Sequence, residues 1–526
     1  MHPPFDSFDV IVVGYGFAGA AAAITAHDQG SRVLVLEKMP HGGGNSRVSG
    51  GNCVIARSGD GDRRRLVDYL HTLCLGSTGR DVVEALVDGA MDLPEWFAAL
   101  DAELSVPEQL IIADTYPRTL KGPGFPAVAG DGIYFDKYCV AGSPEVPPSR
   151  RMWEALEAAV EARDITVLFE ARVQDLVRSP SGEVTGVELT LQGRPARIDA
   201  AQGVVMTCGG YENSPELISE YVLPPGVRFA GNPGNTGDGV RVVQRAGADL
   251  WHMSRTSTII GFQSEEYVAA FGIFFPTHGF IYVDRHGERF ADETGLELHE
   301  FHRLLSEFDT RTVDYPRLPS WGVFNERTRL AGPLSWSVSG YNRELYQWSA
   351  DNSREIKMGW IVQADTVAEL AERIEVPAEA LAATLTRYNT ACAEGADPEQ
   401  GRSPETLEAI EGPYYAIRLE PTVLNTQGGA RRDARARVLD TRGAVIPRLY
   451  SAGEFGSAWG GLYQGATNIT ECLSVGRIAG RELAALARVG TGTTEDAGAV
   501  WDGGVVESAE ATAAAADRRE QAGVTR

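Results

Sequence analysis

Three glycines, Gly14, Gly16 and Gly19, stand in GxGxxG spacing within VIVVGYGFAGAAAAI. Each has a task in holding a dinucleotide. The first permits a tight turn, the second lets a pyrophosphate approach the backbone, and the third lets helix and strand pack closely. The helix that follows, opening at Phe17 and Ala18, offers its free N–H groups to the anion. Glu37, 18 residues beyond Gly19, stands where an acid should bind a ribose hydroxyl. A second glycine-rich stretch, GLYQGATNIT at 461–470, follows LYSAGEF; it is uncharged and carries a tyrosine.

Those residues need elements to hold them. Val10 to Val13 are continuously apolar and read as a buried parallel strand. The alanine run after Gly19 reads as a helix, and RVLVLE as a second strand leading into Glu37 and Lys38. HGGGNSRVSGGNCVIA then supplies Gly44, Asn45, Ser46, Ser49, Gly50 and Gly51. It cannot be a core strand, but it can lay backbone against a flat ligand, with Asn45 and Ser46 as donors. Residues 165–190 have a β-hairpin pattern. GVVMTCGG returns a buried strand, Val204 to Thr207, ending on Gly209 and Gly210. Asp238, in NTGDG, precedes a helix as either a ligand residue or its N-cap. From 258 to 412 the strand–helix alternation stops and aromatics thicken (Trp321, Trp336, Tyr341, Tyr346, Trp348, Trp360). A helical pair follows, with Thr366 capping the first and Pro377 opening the second.

Composition sets bounds. A chain of 526 residues with 43% hydrophobic content should hold two or three domains. No apolar run is long enough to span a membrane, and no basic segment precedes the first strand. Six scattered cysteines without CxxC fit reduced thiols in a cytoplasmic protein and exclude an iron–sulfur or zinc framework. A net charge of −24 argues against nucleic acid and anionic membranes.

On the glycine loop, the HGGGNSRVSGG stretch, TGDG, the Tyr388–Asn389…Gly395…Asp397…Gly401–Arg402 pattern and SAGE, the chain resembles the FAD-dependent 3-ketosteroid dehydrogenase/fumarate reductase superfamily, over about residues 8–487. The resemblance implies an α/β fold: a Rossmann-type FAD-binding domain (8–257 and 413–487), an inserted α+β substrate-capping domain (258–412) and a flexible tail (488–526). It also implies that the 44–51 loop runs along the isoalloxazine ring. Val173 would meet the adenine side through its backbone, and Asp238 would join the cofactor site. Some members attach FAD covalently through a histidine. Asn45 stands there, so FAD is expected to be non-covalent. The late loop becomes the other wall of the flavin site. There Gly453 and Glu454 would reach the ribityl or phosphate region, and the N–H groups of Ala466, Asn468 and Ile469 the flavin edge.

The resemblance also divides the chemistry. Fumarate reductases clamp a carboxylate with a late-loop arginine and a histidine, and use an arginine as proton donor. Tyr463, Asn425 and Glu297 stand in those places. A dicarboxylate clamp needs cations, so the ketosteroid dehydrogenase branch fits better. There a tyrosine at the place of Tyr463 donates to the substrate carbonyl; packing under the flavin loop is the other reading of Tyr463. That branch abstracts a proton with a tyrosine eight residues after an RFxNE arginine. RFADE matches the motif, but Arg289 plus eight reaches Glu297. His299 is two residues away and competes with it, and a solvated helix face is a third reading. Tyr116, with Tyr134 as rival, matches a helper tyrosine.

The chemistry can also be argued from first principles. Hydrogen bonds on a ketone oxygen stabilise the developing enolate by at most ~3 kcal/mol each. A base takes the α proton while the β hydride leaves. The expected enzyme therefore forms or reduces a C=C bond beside the carbonyl of a cyclic, largely apolar substrate. No second dinucleotide unit is visible, so electrons should pass to a separate acceptor or donor. Reduction of an unsaturated carboxylate and a non-catalytic electron carrier remain as alternatives.

Overall fold

The apolar run Val10–Val13, with Phe8 and Asp9 before it, makes β1 (Phe8–Val13), wholly buried. It pairs in parallel with β2 (Val33–Leu36) on one side, Val10 opposite Val33. Between them runs α1 (Phe17–Asp28), nearly all small and apolar. The computed structural model describes residues 8–54, 60–100, 125, 127–130, 137–139, 147–295, 297–300, 302–335 and 340–489. β3 (Thr166–Leu168) joins the far edge of β2. The pattern read as a hairpin is one, β4 (Ala171–Arg178) against β5 (Val184–Leu191). It continues into β6 (Arg194–Met206), which pairs in parallel with β1, Val12 opposite Val205. Late in the chain, β12 (Val445–Ser451) adds to β6, again in parallel. The sheet core is thus closed by segments from both ends of the sequence.

Between α2 (Asp238–Arg245) and β12, the chain builds a second, antiparallel sheet. Its spine is β11 (Tyr414–Thr426). The first half of β11 pairs with β9 (Ser320–Asn325) and β10 (Ile361–Ala364), and its second half with β7 (Thr256–Phe262). β8 (Phe280–Val283) flanks β9. The helical pair is α3 (Val367–Arg373) and α4 (Ala378–Glu394). Thr366 caps α3 by accepting the Glu369 N–H at 3.2 Å. The fold is α/β, a Rossmann-type unit with an inserted α+β unit. Asp238 is not the cap of α2. Gly237, at φ +74, occupies that position because a left-handed residue costs glycine no Cβ clash. Arg488 and Val489, at the start of the stretch read as a tail, are tied down by Asp9 and by the Ala201 carbonyl; residues from 490 lie outside the described ones.

The last helix, α5 (Thr467–Ala484), starts one residue earlier than Asn468 and lies across α1. A Cβ on Gly476 would come within 2.5 Å of the Ala18 carbonyl oxygen, and one on Gly480 within 2.5 Å of that of Ala22. Glycine faces therefore let the helices touch backbone to backbone. Gly480→Leu should force them apart, at a cost of about 1–3 kcal/mol, and lower the midpoint of thermal unfolding accordingly. Among the described residues no helix is long and apolar enough to cross a membrane.

Candidate active site

The carboxyl ends of β1, β2 and β6 open onto a cavity of about 890 Å³, counting its mouth. Gly14 turns the chain there at φ +105. A Cβ on Gly19 would collide with the Gly14 carbonyl, so the third glycine serves packing and does not line the cavity. Gly16, Phe17 and Ala18 do line it, at the open end of α1, whose first turn holds no acid. Ser46 reaches over from the glycine-rich loop and accepts the Phe17 N–H at 2.9 Å. Glu37 is buried, and its carboxylate accepts the N–H groups of Tyr15 (2.9 Å) and Met39 (2.8 Å). Burial pushes its carboxyl up, against those hydrogen bonds. Lys38 and Arg172 both grip Asp238 across the cavity wall. Burial raises the Asp238 carboxyl, but its two cations outweigh that and hold it below the ordinary range.

Gly44, Asn45, Val173, Gly209, Gly453 and Glu454 complete the expected residues around the cavity. Tyr15, Met39, Asn232 and Cys472 also line it and were not foreseen. Gly51, by contrast, packs on the helix Pro148–Glu161, where its Cβ would meet Pro148 and Ser149. Ser49 bonds back to the Ser46 carbonyl at 2.8 Å and accepts the Gly51 N–H, so 49–51, including Gly50, close on themselves away from the cavity.

Asn45 has partners the sequence did not suggest. Its Nδ2 donates to Glu212 (2.6 Å), which is buried, and to Glu454 (3.2 Å), so its amide sits between two carboxyl groups at the cavity wall. Burial lifts Glu212 to about 7 and, with the Glu212 charge beside it, lifts Glu454 well above the ordinary range. Each carboxylate therefore disfavours ionisation of the other. The late loop is braced from behind. Arg432 and Glu471, each with a side chain 1% exposed, form an ion pair. Glu471 also accepts from the Ser457 hydroxyl (2.6 Å) and the Ala458 N–H (2.7 Å).

A second polar cluster lies where this loop meets the inserted sheet. Tyr463 is buried, and its N–H donates to Glu300 at 2.9 Å. Its hydroxyl oxygen is 3.5 Å from the Asn468 N–H at the start of α5. Asn468 Nδ2 donates to Asn425 Oδ1 at 3.0 Å, tying β11 to the helix. Ala466, at φ +77, and Ile469 flank this point. Glu297 and His299 arrive from the other side. Glu297 Oε2 accepts the His299 backbone N–H and Oε1 meets His299 Nδ1, both at 2.7 Å. The His299 ring stands edge-on to Tyr463, centroids 5.0 Å apart. A Cβ on Gly465 would lie 3.0 Å from His299 and 3.2 Å from Glu297, which is why the late loop has glycine there. Glu297 is 6% exposed, so it is not on a solvated helix face. Tyr116 and Tyr134 lie outside the described residues, as does Trp336. His302, next along, is pushed down to about 4 by burial and stays neutral.

The loop carrying Glu297 is anchored by charges. Arg289 forks onto Glu293 with two bonds of 2.8 Å and reaches Asp397 at 2.7 Å. Arg402 donates to Glu293 (3.2 Å) and to the Phe280 and His278 carbonyls (both 2.7 Å). Tyr388 lies under both guanidinium groups, at 4.9 and 5.7 Å. The RFADE motif and the Tyr388…Asp397…Arg402 pattern are thus two halves of one buried network. Burial raises the Asp397 carboxyl, but Arg289 and nearby N–H groups hold it below its ordinary 3.8. A depressed carboxylate contributes stability above its unfolded value, and that contribution is lost only as pH falls through the lower folded one.

The chemistry of the cavity lining fits a dinucleotide: a glycine turn, an acid-free helix N-terminus and a buried acid after the second strand. Residues 9–469 match the sequence profile of the FAD binding domain family. NADH:acrylate oxidoreductase of Vibrio harveyi is 28% identical over 91% of this chain, which spans about half (51%) of that relative. The 4-oxocyclohexanecarboxylate 2-dehydrogenase of Sinomonas cyclohexanicum is 27% identical, with 91% of this chain and 93% of that one covered. Among solved structures, 3-ketosteroid Δ1-dehydrogenase from Sterolibacterium denitrificans superposes with a TM-score of 0.74 at 23% identity, over 91% of this chain and 99% of that one, a likeness of fold. The chain belongs to the FAD binding domain family, and FAD is its cofactor.

Proposed function

We propose that the protein is an oxidoreductase of CH–CH bonds that forms or reduces a C=C bond beside the carbonyl of a cyclic, largely apolar ketone. The observation that carries this reading is the meeting of Tyr463 with Glu297 and His299 across Gly465. A hydroxyl donor and a proton-transfer pair, on two different sheets' loops, are what enolate chemistry requires. Bound FAD supplies the two-electron hydride acceptor or donor. Tyr463 donates to the carbonyl oxygen, with the α5 N-terminus behind it. The Glu297–His299 pair takes or returns the α proton. The 4-oxocyclohexanecarboxylate enzyme, whose printed substrate is a cyclic ketone, supports this choice. Reduction of an unsaturated carboxylate is the second reading, favoured by the acrylate relative. It lacks cations at Tyr463, Asn425 and Glu297, and nearby Arg303 is bonded to Glu300.

Electrons would pass to a separate partner, such as a quinone or a carrier protein. The thiols at 74, 208, 392 and 472 form no disulfide, which suits a cytoplasmic setting. FAD would be non-covalent, because Asn45 stands where a histidine link would form. Acid precipitation should therefore release all the flavin into the supernatant.

The test of function is an anaerobic absorbance titration. Oxidised protein is mixed with cyclic ketones, and dithionite-reduced protein with the matching enones and with acrylate or fumarate. Bleaching by a saturated ketone supports the proposal. Re-oxidation by unsaturated acids alone moves the protein to the carboxylate reductases. A flavin that answers to neither marks an electron carrier.

A further inference from the structure

Resting on that reading, we propose a division of labour within the pair: His299 Nε2 carries the proton, and Glu297 is a positioning residue that fixes the imidazole's tautomer. Both Glu297 oxygens are already committed to His299, one to its backbone N–H and one to its ring, at 2.7 Å each. A carboxylate can only accept, so Nδ1 bears the hydrogen and Nε2 is left with the lone pair. Among the described residues Nε2 has no hydrogen-bond partner, and the side chain keeps 16% exposure. The ring is held in place by the Glu297 carboxylate and the Tyr463 edge. The short helical turn Leu298–Glu300 makes the two-residue hook between Glu297 and His299 possible. Thr258 pins the His299 carbonyl at 2.8 Å.

In the oxidative direction His299 Nε2 gains the proton as the substrate's α C–H bond breaks, and that electron pair becomes the new C=C bond. The β hydrogen would leave with its electron pair, for which bound FAD would supply the two-electron acceptor. The imidazolium then returns its proton to solvent. The Glu297 carboxylate keeps its hold on Nδ1–H and faces the imidazolium, as a carboxylate does behind a histidine base.

Substitution can invert the tautomer. In Glu297→Gln the carbonyl oxygen would keep the His299 backbone N–H, leaving the amide NH₂ against Nδ1. The hydrogen must then move to Nε2. Long-range ¹H–¹⁵N NMR on histidine-labelled holoprotein should show Nδ1–H in the wild type and Nε2–H in Glu297→Gln. In the same variant, flavin reduction by a cyclic ketone should fall about 10²–10⁴-fold with KM little changed. His299→Gln should fall at least as far, and Glu297→Asp should recover part of the loss. A wild-type Nε2–H tautomer overturns the proposal. So does a His299→Gln protein within threefold of wild type while Glu297→Gln is dead, which would make Glu297 the base and leave the ketone reading standing. A wild-type flavin that no ketone bleaches overturns the ketone reading itself, and the role with it.

Discussion

Tyr463→Phe should slow flavin reduction by a cyclic ketone about 10²–10³-fold, the usual effect of removing one oxyanion donor. Stopped-flow absorbance under anaerobic conditions reads it directly. The hydroxyl is the group at stake, since phenylalanine keeps the ring edge that His299 packs against. The Tyr463 N–H bond to Glu300 is also backbone and survives the change. Thermal stability should therefore fall only slightly, through loss of the 3.5 Å contact with the Asn468 N–H, while the rate falls far more. A matching loss of both would mean that Tyr463 is a packing residue under the late loop. Full activity with full stability would remove it from the substrate site.

The second large effect is structural. Glu293→Ala would leave Arg289 and Arg402 facing an empty position, with their side chains 2% and 0% exposed. Stranding buried charge in this way costs about 3–5 kcal/mol, and a clear fall in the thermal midpoint should report it. The cofactor cavity belongs to the other sheet, so flavin content should fall less than ketone oxidation does. Glu293→Gln keeps the shape and part of the hydrogen bonding, and should land between Ala and wild type. An Ala variant as stable as wild type would show the network to be dispensable.

The cofactor half was legible because its signals are local. The Gly14–Gly16–Gly19 spacing, one apolar strand and one small-residue helix lie within the first 28 residues. Each glycine's task follows from backbone sterics alone. The late loop could be placed because SAGE and the glycines around Tyr463 need little context. The carboxyl partners of Asn45, Glu212 and Glu454, could not be read from the sequence because they are 167 and 409 residues away. The choice between Glu297 and His299 stayed open for a related reason. It depends on a single turn, and that turn is held by Thr258 and by the Tyr463 N–H, 41 residues before His299 and 163 after Glu300.

The cofactor cavity is lined by residues from Val13 near one end of the chain and by Ala452, Gly453, Glu454 and Cys472 near the other. On a ribosome that arrangement becomes a matter of timing. The glycine turn emerges early, but its opposite wall follows more than 400 residues later. At 5–20 residues per second the delay is roughly 20–90 s. During it, the apolar face of α1, which α5 will cover, has no native partner. The nascent chain should therefore depend on chaperones until α5 has emerged, and should acquire flavin only after that.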